Sequence, residues 1–393
     1  MGRTILHLDL DAFFCAVEET RNPDLRGKAF AVGGKPDERG VVASCSYAAR
    51  KFGVRSAMPM SRAVRLVPNL IIVAGHHRVY GEVSGRVMER LHNLTALVEQ
   101  ISIDEAFLDI SELHDPPERI ARDLQAGIRD EMGLPSSIGI ATNKLVARIA
   151  TEVGKKAARG DGPPFGLTIV PTGQESAFLA PLPADMLWGV GPKTAARLAE
   201  LGIHTIGDIA AWPEADFVRR FGENGRELGR HARGLDERGI VTEHETKSIS
   251  QETTFTRDVR DDRSLERTLR EQAAEVARNL RRNDLAGKTV KLKLRWPDFT
   301  TLTRQLTLSQ PSDDADEIGA AALKLLKSVR KSGQAVRLIG VGMSGLDTPA
   351  RQLSLWEAGT ERSRQLQEVV DSLQAKYGRT AIQKGALEPG PRR

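Results

Sequence analysis

The 393-residue chain is poor in cysteine and has no long apolar run. Its two cysteines, Cys15 and Cys45, sit in apolar or small-residue segments and form no C-x-x-C pair. A disulfide framework is therefore not expected, and a reduced cytoplasmic protein with structural thiols is. No stretch of 18 apolar residues occurs, and the start lacks a basic n-region followed by an apolar h-region and a cleavage site. Neither a membrane helix nor export is expected. The eight histidines lack the spacing of a zinc site. What is present is 40% hydrophobic and 28% charged residues, the composition of a folded chain, at a length that suits two to four domains.

The net charge of +5 is unevenly distributed. Residues 1–170 carry 22 Lys+Arg against 21 Asp+Glu and residues 171–246 carry 8 against 12, whereas residues 247–346 carry 19 against 13. A basic segment beside a nearly neutral one suggests that one part holds a polyanion while another does chemistry.

Hydrophobic periodicity predicts a strand at 4–10, a helix from 12, β-type stretches at 28–33 and 41–45, helices at 46–52 and 59–67, and a short strand at 70–74. A helix over 77–93 then leads to strands at 97–103 and 106–110, a helix at 116–132, a strand at 136–141 and a helix at 143–153. This order predicts a mixed α+β multidomain protein whose first sheet carries helices on one face and is interrupted by a small module at about 13–75. A small helical unit at 171–234 and a polar linker at 235–247 precede a β-α-β-β-α-β pattern over 248–346.

Acids inside the apolar strands are the strongest chemical signal. Asp9 and Asp11 lie in Leu8-Asp9-Leu10-Asp11, and Asp104-Glu105 in Ser102-Ile103-Asp104-Glu105-Ala106. A carboxylate in such a setting is costly unless a cation meets it, and a hard divalent metal that shares phosphate ligands is one such partner. A strand end, a helix cap or an arginine pair would serve as well. Period two puts Asp9 and Asp11 on one face if the first strand continues that far, whereas Asp104 and Glu105 need a turn or bulge to reach one centre.

Two further patterns suit nucleic acid. Trp188-Gly189-Val190-Gly191-Pro192-Lys193 reads as a tight hairpin opening a helix, with Pro192 at its first position. Its amides, with Lys193, suit a phosphate in a helix-hairpin-helix manner, and it contains no Gly-Lys-Ser/Thr of a Walker loop. Lys291, Lys293 and Arg295 alternate with Val290, Leu292 and Leu294, which puts a basic face opposite an apolar one. Within the inserted module, Ser44, Tyr47 and Arg50 offer hydroxyl and guanidinium donors of the kind a triphosphate takes.

Taken in order and spacing, Asp9 with Phe13-Phe14, then Ser44, Tyr47 and Arg50 within Tyr47-Ala48-Ala49-Arg50-Lys51-Phe52-Gly53-Val54, then Ser102-Ile103-Asp104-Glu105-Ala106, the chain resembles the Y-family translesion DNA polymerases of the DinB, or polymerase IV, type over about residues 3–346. The resemblance implies a right-hand-like polymerase with a palm at 1–12 and 76–170, fingers at 13–75, a helix-hairpin-helix thumb at 171–234, a linker at 235–247, a little finger at 248–346 and a tail from 347. It implies template-directed, low-fidelity DNA synthesis with lesion bypass and no proofreading. It further implies that Asp9, Asp104 and Glu105, with the Leu10 carbonyl, bind two Mg²⁺ ions, Mn²⁺ being able to substitute. Backbone amides at Ala12, Phe13 and Phe14, together with Ser44, Tyr47, Arg50 and Lys155, would hold the deoxynucleoside triphosphate. Phe14 would be the steric gate against a 2′-hydroxyl, and Asp11 would be a supporting residue. Primer-template DNA would lie against Gly189, Gly191, Lys193, Lys291, Lys293 and Arg295.

Two features depart from the family pattern. Lys155-Lys156-Ala157-Ala158 stands where the family has Lys-Pro-Asn/Asp-Gly, which leaves the triphosphate lysine open between Lys155 and Lys156. Gln352-Leu353-Ser354-Leu355-Trp356 is similar to a sliding-clamp peptide, with Gln352, Leu353, Leu355 and Trp356 as anchors, yet 37 residues follow it. Leu366, Val369, Val370, Leu373 and Tyr377 would share one helical face there. A monomer is expected.

Overall fold

The computed structural model describes residues 2–158, 160 and 162–348, together with 369, 370, 372, 373, 376 and 377. The proposed clamp peptide at 352–356 and Leu366 lie outside the described residues; Val369, Val370, Leu373 and Tyr377 are helical. The chain divides into two compact units, Met1–His244 and Glu245–Arg393, with the division inside the polar stretch 235–247.

In the first unit, strand β1 (Ile5–Leu10) runs into helix α1 (Phe13–Arg21). Strands β2 (Phe30–Gly33) and β3 (Val42–Cys45), helices α2 (Tyr47–Lys51) and α3 (Met60–Leu66) and strand β4 (Ile71–Val73) follow. Then come α4 (His77–Leu94), β5 (Val98–Gln100), β6 (Glu105–Asp109), α5 (Pro117–Met132), β7 (Ser136–Ala141), α6 (Lys144–Ala157) and β8 (Leu167–Ile169). Five short helices complete the unit: α7 (Glu175–Leu179), α8 (Pro192–Ala199), α9 (Ile206–Ala211), α10 (Glu214–Phe221) and α11 (Glu223–Ala232).

The central sheet has the order β5-β6-β1-β7-β8, and a smaller one the order β3-β2-β4. In β1, period two sends Leu6, Leu8 and Leu10 into a core shared with Val87 and Leu91 of α4 and Ile120 and Leu124 of α5. Phe13, Cys15, Ala16 and Val17 of α1 enter the same core. Ile5 and Phe107 point the other way and pack with Leu145, Val146 and Ile149 of α6. The single-faced helical layer expected from the sequence is thus corrected: α6 covers the second face. The physical reason is that β7 is buried along its whole length, and its small residues admit a helix on the far side.

Gly139 in β7 shows how close that approach is. A Cβ there would lie 2.0 Å from the Ala147 carbonyl oxygen and 2.4 Å from the Thr151 nitrogen, so only glycine fits beneath α6. The far side of α6 meets Leu187, Val190, Leu198 and Phe217 of the helical cluster, which makes this helix the shared wall between sheet and cluster. Asn143 starts α6, its side-chain oxygen accepting from Val146 N at 3.0 Å.

The second unit reads β9 (Ser248–Val259), α12 (Asp262–Arg282), β10 (Ala286–Arg295), β11 (Thr301–Ser312), α13 (Ala315–Val329) and β12 (Val336–Asp347). Its sheet has the order β11-β10-β12-β9. Val290, Leu292 and Leu294 bury one face against Leu265, Leu269 and Val276 of α12 and Ile318 and Leu326 of α13. Lys291, Lys293 and Arg295 alternate with them and lie on the face without a helix. No described helix is long and apolar enough to cross a membrane.

Two substitutions test this packing by thermal unfolding. Gly139→Val is expected to cost about 1–3 kcal/mol and lower the midpoint, because α6 must move away from β7. Gly85→Ala in α4, where nothing lies within 4 Å of the added Cβ, is expected to raise the midpoint, since alanine is favoured over glycine in a helix by up to about 1 kcal/mol.

Candidate active site

The face of the central sheet that α6 covers also bears the acids. Asp9 stands directly opposite Glu105 in the β1–β6 register, and His7 opposite Phe107. Glu105 is the first residue of β6, and Asp104 belongs to the turn before it, where its carbonyl accepts from Leu10 N at 2.9 Å. The turn therefore resolves the period-two conflict: Asp104 does not share the strand's alternation. Ser102 Oγ donates to Asp104 Oδ1 at 2.6 Å and fixes the carboxylate.

Helix α6 answers this row of acids with a row of its own. Lys144, Arg148, Thr151 and Lys155 recur at the three- and four-residue spacing that lines one helical face. Lys144 Nζ meets Glu99 at 2.8 Å, with both side chains almost fully buried. Arg148 Nε lies 2.7 Å from Glu105 Oε1, and His7 Nε2 approaches the same oxygen at 2.7 Å. Thr151 Oγ1 lies 2.8 Å from His7 Nδ1. Lys155 Nζ lies 2.6 Å from Asp9 Oδ1, with Asp11 at 3.7 Å and Glu152 at 3.8 Å.

These partners set the protonation. Burial pushes the Asp9 carboxyl up, and the Lys155 ammonium opposes it without cancelling it. Asp11, just past the end of β1, is pushed up to about 6 by burial, against the opposing pull of Lys155 and the Ser137 hydroxyl. Glu105 also feels burial, yet His7 and Arg148 prevail and hold it below the ordinary carboxylate range. Strand β1 stops at Leu10, so Asp11 does not share a strand face with Asp9. It is buried instead, accepting from Ser137 Oγ at 2.9 and 3.0 Å.

A cleft of about 720 Å³ opens beside these residues. It is lined by Asp9, Leu10, Ala12, Phe13 and Phe14, by Ser44, Tyr47 and Arg50, and by Asp104, Lys155 and Lys156. Ala12 adopts the left-handed conformation (φ 48°) as the chain turns from β1 into α1, which brings Phe13 and Phe14 to the cleft wall. The Phe14 ring stacks on Tyr80, with centroids 4.4 Å apart and planes 15° apart. Tyr80 OH donates in turn to the buried Glu18 at 2.6 Å. The Arg50 guanidinium lies over the Tyr47 ring at 5.0 Å.

Asp9 and Asp104 thus reach the cleft together with every expected nucleotide-binding residue, whereas Glu105 is not on its wall and is turned to His7 and Arg148. Among the described residues, no group of three His, Cys, Asp or Glu side chains is gathered closely enough to hold a metal ion as it stands. The donor chemistry nonetheless suits one: Asp9, Asp104, Glu105 and the Leu10 carbonyl offer only oxygen, the preference of hard divalent cations. The ammonium of Lys155 meets the half-buried Asp9 carboxyl group here.

Sequence reading missed His7, Arg148 and Tyr80. The signal for His7 was its place two residues before Asp9 in a strand; Arg148 and Tyr80 had only helical spacing. The open face of the second unit is less purely basic than expected, because Lys293 Nζ pairs with Glu252 at 2.6 Å. Gly189 (φ 99°) supplies the hairpin bend, and Gly191 and Pro192 open α8.

The chain matches the model of the impB/mucB/samB family over residues 8–152, and that of the family's C-terminal domain over 246–355. It is 40% identical to DNA polymerase IV of Dehalococcoides mccartyi over 98% of this chain and 97% of that one. Its structure is similar to a Y-family DNA polymerase chimera of Dbh and Dpo4, with a TM-score of 0.76 and 25% identity over 87% of this chain and 98% of that one. An insertion ternary complex of Dbh DNA polymerase is also similar, with a TM-score of 0.60 and 25% identity over 87% and 98%. With both family models matched in order, and that identity over nearly the whole chain, the protein belongs to the impB/mucB/samB family of Y-family DNA polymerases.

Proposed function

We propose that the cleft is where this chain, a DNA-directed DNA polymerase of the translesion class, adds deoxynucleotides to a primer 3′-end. The observation that carries the reading is the lining of one cleft by Asp9 and Asp104 together with Ser44, Tyr47, Arg50 and Lys155, with Phe14 on the same wall. Y-family polymerases use divalent metal ions; here Asp9, Asp104, Glu105 and the Leu10 carbonyl would hold two, of Mg²⁺ or, in its place, Mn²⁺. Bound there, such ions would lower the pKa of the primer hydroxyl and offset charge on the triphosphate.

The chain's own residues do the rest. Arg50 and Lys155, with the Tyr47 and Ser44 hydroxyls, present charge-assisted and neutral donors to the β and γ phosphate oxygens. For Lys155 to do so it must leave Asp9, an exchange made easier because this pair borders the cleft. The first amides of α1, at Ala12, Phe13 and Phe14, have no partner within the helix and suit the triphosphate. The Phe14 ring, braced by Tyr80, occupies the space a 2′-hydroxyl would need. No proofreading site is proposed.

Within the proposed scheme, residues 1–12 and 76–170 form the palm, 13–75 the fingers, 171–234 the thumb and 248–346 the little finger. Gly189, Gly191 and Lys193 on the thumb, and Lys291, Lys293 and Arg295 on the little finger, would contact the backbone of primer-template DNA. Residues 352–356 would bind a sliding clamp. The protein is proposed to act as a cytoplasmic monomer.

Primer extension with Mg²⁺ tests the core of this reading. Asp104→Ala is expected to reduce insertion by on the order of 10³-fold, the scale of removing a principal electrostatic contributor; extension equal to wild type would falsify the catalytic assignment. Phe14→Ala should raise ribonucleotide insertion relative to deoxynucleotide insertion by about tenfold or more, measured with each nucleotide separately; unaltered sugar discrimination removes the gate. Deleting residues 352–356 should abolish stimulation by a sliding clamp while leaving extension on bare primer-template intact.

A further inference from the structure

Trp188 sits in the hairpin turn before α8, half-buried, and has no part in the cleft. Its ring stacks on Phe107 of β6, with centroids 6.4 Å apart and planes 22° apart. Two guanidinium groups lie over it, Arg148 at 4.8 Å and Arg238 at 4.6 Å from the ring centroid. Both are anchored beyond the ring. Arg148 Nε holds Glu105 Oε1 at 2.7 Å. Arg238 holds both oxygens of Asp236, at 2.7 and 2.9 Å, and Asp236 Oδ2 also accepts from Leu145 N at the start of α6 at 3.1 Å.

Two like charges gathered at one ring repel unless each has its own counter-charge and the ring offers its negative faces. Arg148 is partly exposed, and its contacts are α6 at its base, the Trp188 ring 4.8 Å from its guanidinium carbon and Glu105 at its Nε. Neither Arg148 nor Trp188 lines the cleft, so neither is placed to touch the nucleotide.

The geometry points to Trp188 and Arg148 as positioning residues for Glu105: the ring on the hairpin sets the guanidinium, and the guanidinium, together with His7, sets the carboxylate. The seating of the helical cluster on the palm sheet thereby fixes the acid at the start of β6. This inference rests on the reading of Glu105 as a catalytic acid and deepens it.

The test uses the full chain with primer-template DNA. Trp188→Leu and Arg148→Lys, which lose ring and planar fork respectively, should each lower the maximal insertion rate by about tenfold or more, the scale of misplacing a reacting group. The KM for nucleotide, the affinity for primer-template and the unfolding midpoint should stay near wild type. Trp188→Phe, which keeps a ring face, should retain most of the rate. On a dideoxy-terminated primer, where no bond can form, the Mg²⁺ concentration for half-maximal nucleotide binding should rise in Trp188→Leu as it does in Glu105→Ala. In the Glu105→Ala background, Trp188→Leu should cost nothing further. Weakened DNA affinity with an intact rate would make Trp188 a gripping residue and overturn the inference, as would rate losses that multiply with Glu105→Ala. A rate loss that tracks a fallen midpoint, Trp188→Phe included, would reduce the role to folding and overturn it too. Should Trp188→Leu fail to fold, Arg148→Lys carries the same comparison. Wild-type activity in Glu105→Ala itself would remove the catalytic reading, and that outcome is distinct from all of these.

Discussion

Acids buried on one face of a β-sheet need cations, and a single helix supplies them. Glu99, Glu105 and Asp9 lie on neighbouring strands of the central sheet, and Lys144, Arg148 and Lys155 on α6 meet them in the same order. Removing one partner of the almost fully buried Lys144–Glu99 pair would cost about 3–5 kcal/mol, because the other charge is left without solvent or partner. Depth decides what each pair is for. Lys144 and Glu99 are 5% and 6% exposed and leave no room for exchange, whereas Lys155 and Asp9 are 19% and 22% exposed and border the cleft. The first pair holds the helix on the sheet; the second borders the cleft and keeps partial access to solvent.

That arrangement requires α6 to lie unusually close to β7, which Gly139 permits, and to be pinned at its start by Asn143 and Asp236. The same helix then serves as the floor for the helical cluster, so the hairpin bearing Gly189 and Gly191 is seated on the element that carries Arg148 and Lys155. On the opposite side of the cleft, the aromatic stack of Phe14 on Tyr80 is fastened by Glu18, which also accepts from Arg21 and lies 2.8 Å from His76. Ionic and aromatic supports thus flank a cleft whose lining mixes polar side chains with Leu10, Ala12, Phe13 and Phe14.

Much of the fold was legible because β1, α4 and α5 follow their periods plainly, and the turn between β5 and β6 was marked by consecutive acids. The layer on the second face was not, since β7 reads Ser-Ser-Ile-Gly-Ile-Ala and its small residues gave no amphipathic sign of a covering helix. In the site, Asp9, Asp104, Phe14, Ser44, Tyr47 and Arg50 could be chosen from their motifs. His7, Arg148 and Tyr80 could not, because their roles depend on contacts between elements far apart in sequence.

The sequence alone determined which chemistry was available: acids in apolar strands, donors on a short helix, a glycine hairpin and a basic strand face, since alternation and local turn chemistry act over a few residues. Tertiary structure decided how those groups are held. It placed Glu105 against His7 and Arg148 and away from the cleft, took Asp11 out of the strand and gave it to Ser137, and chose Lys155 as the cation on Asp9. Those outcomes follow from the packing of α6 and β7 against β1 and β6, contacts between segments about 40 to 150 residues apart that no local pattern encodes.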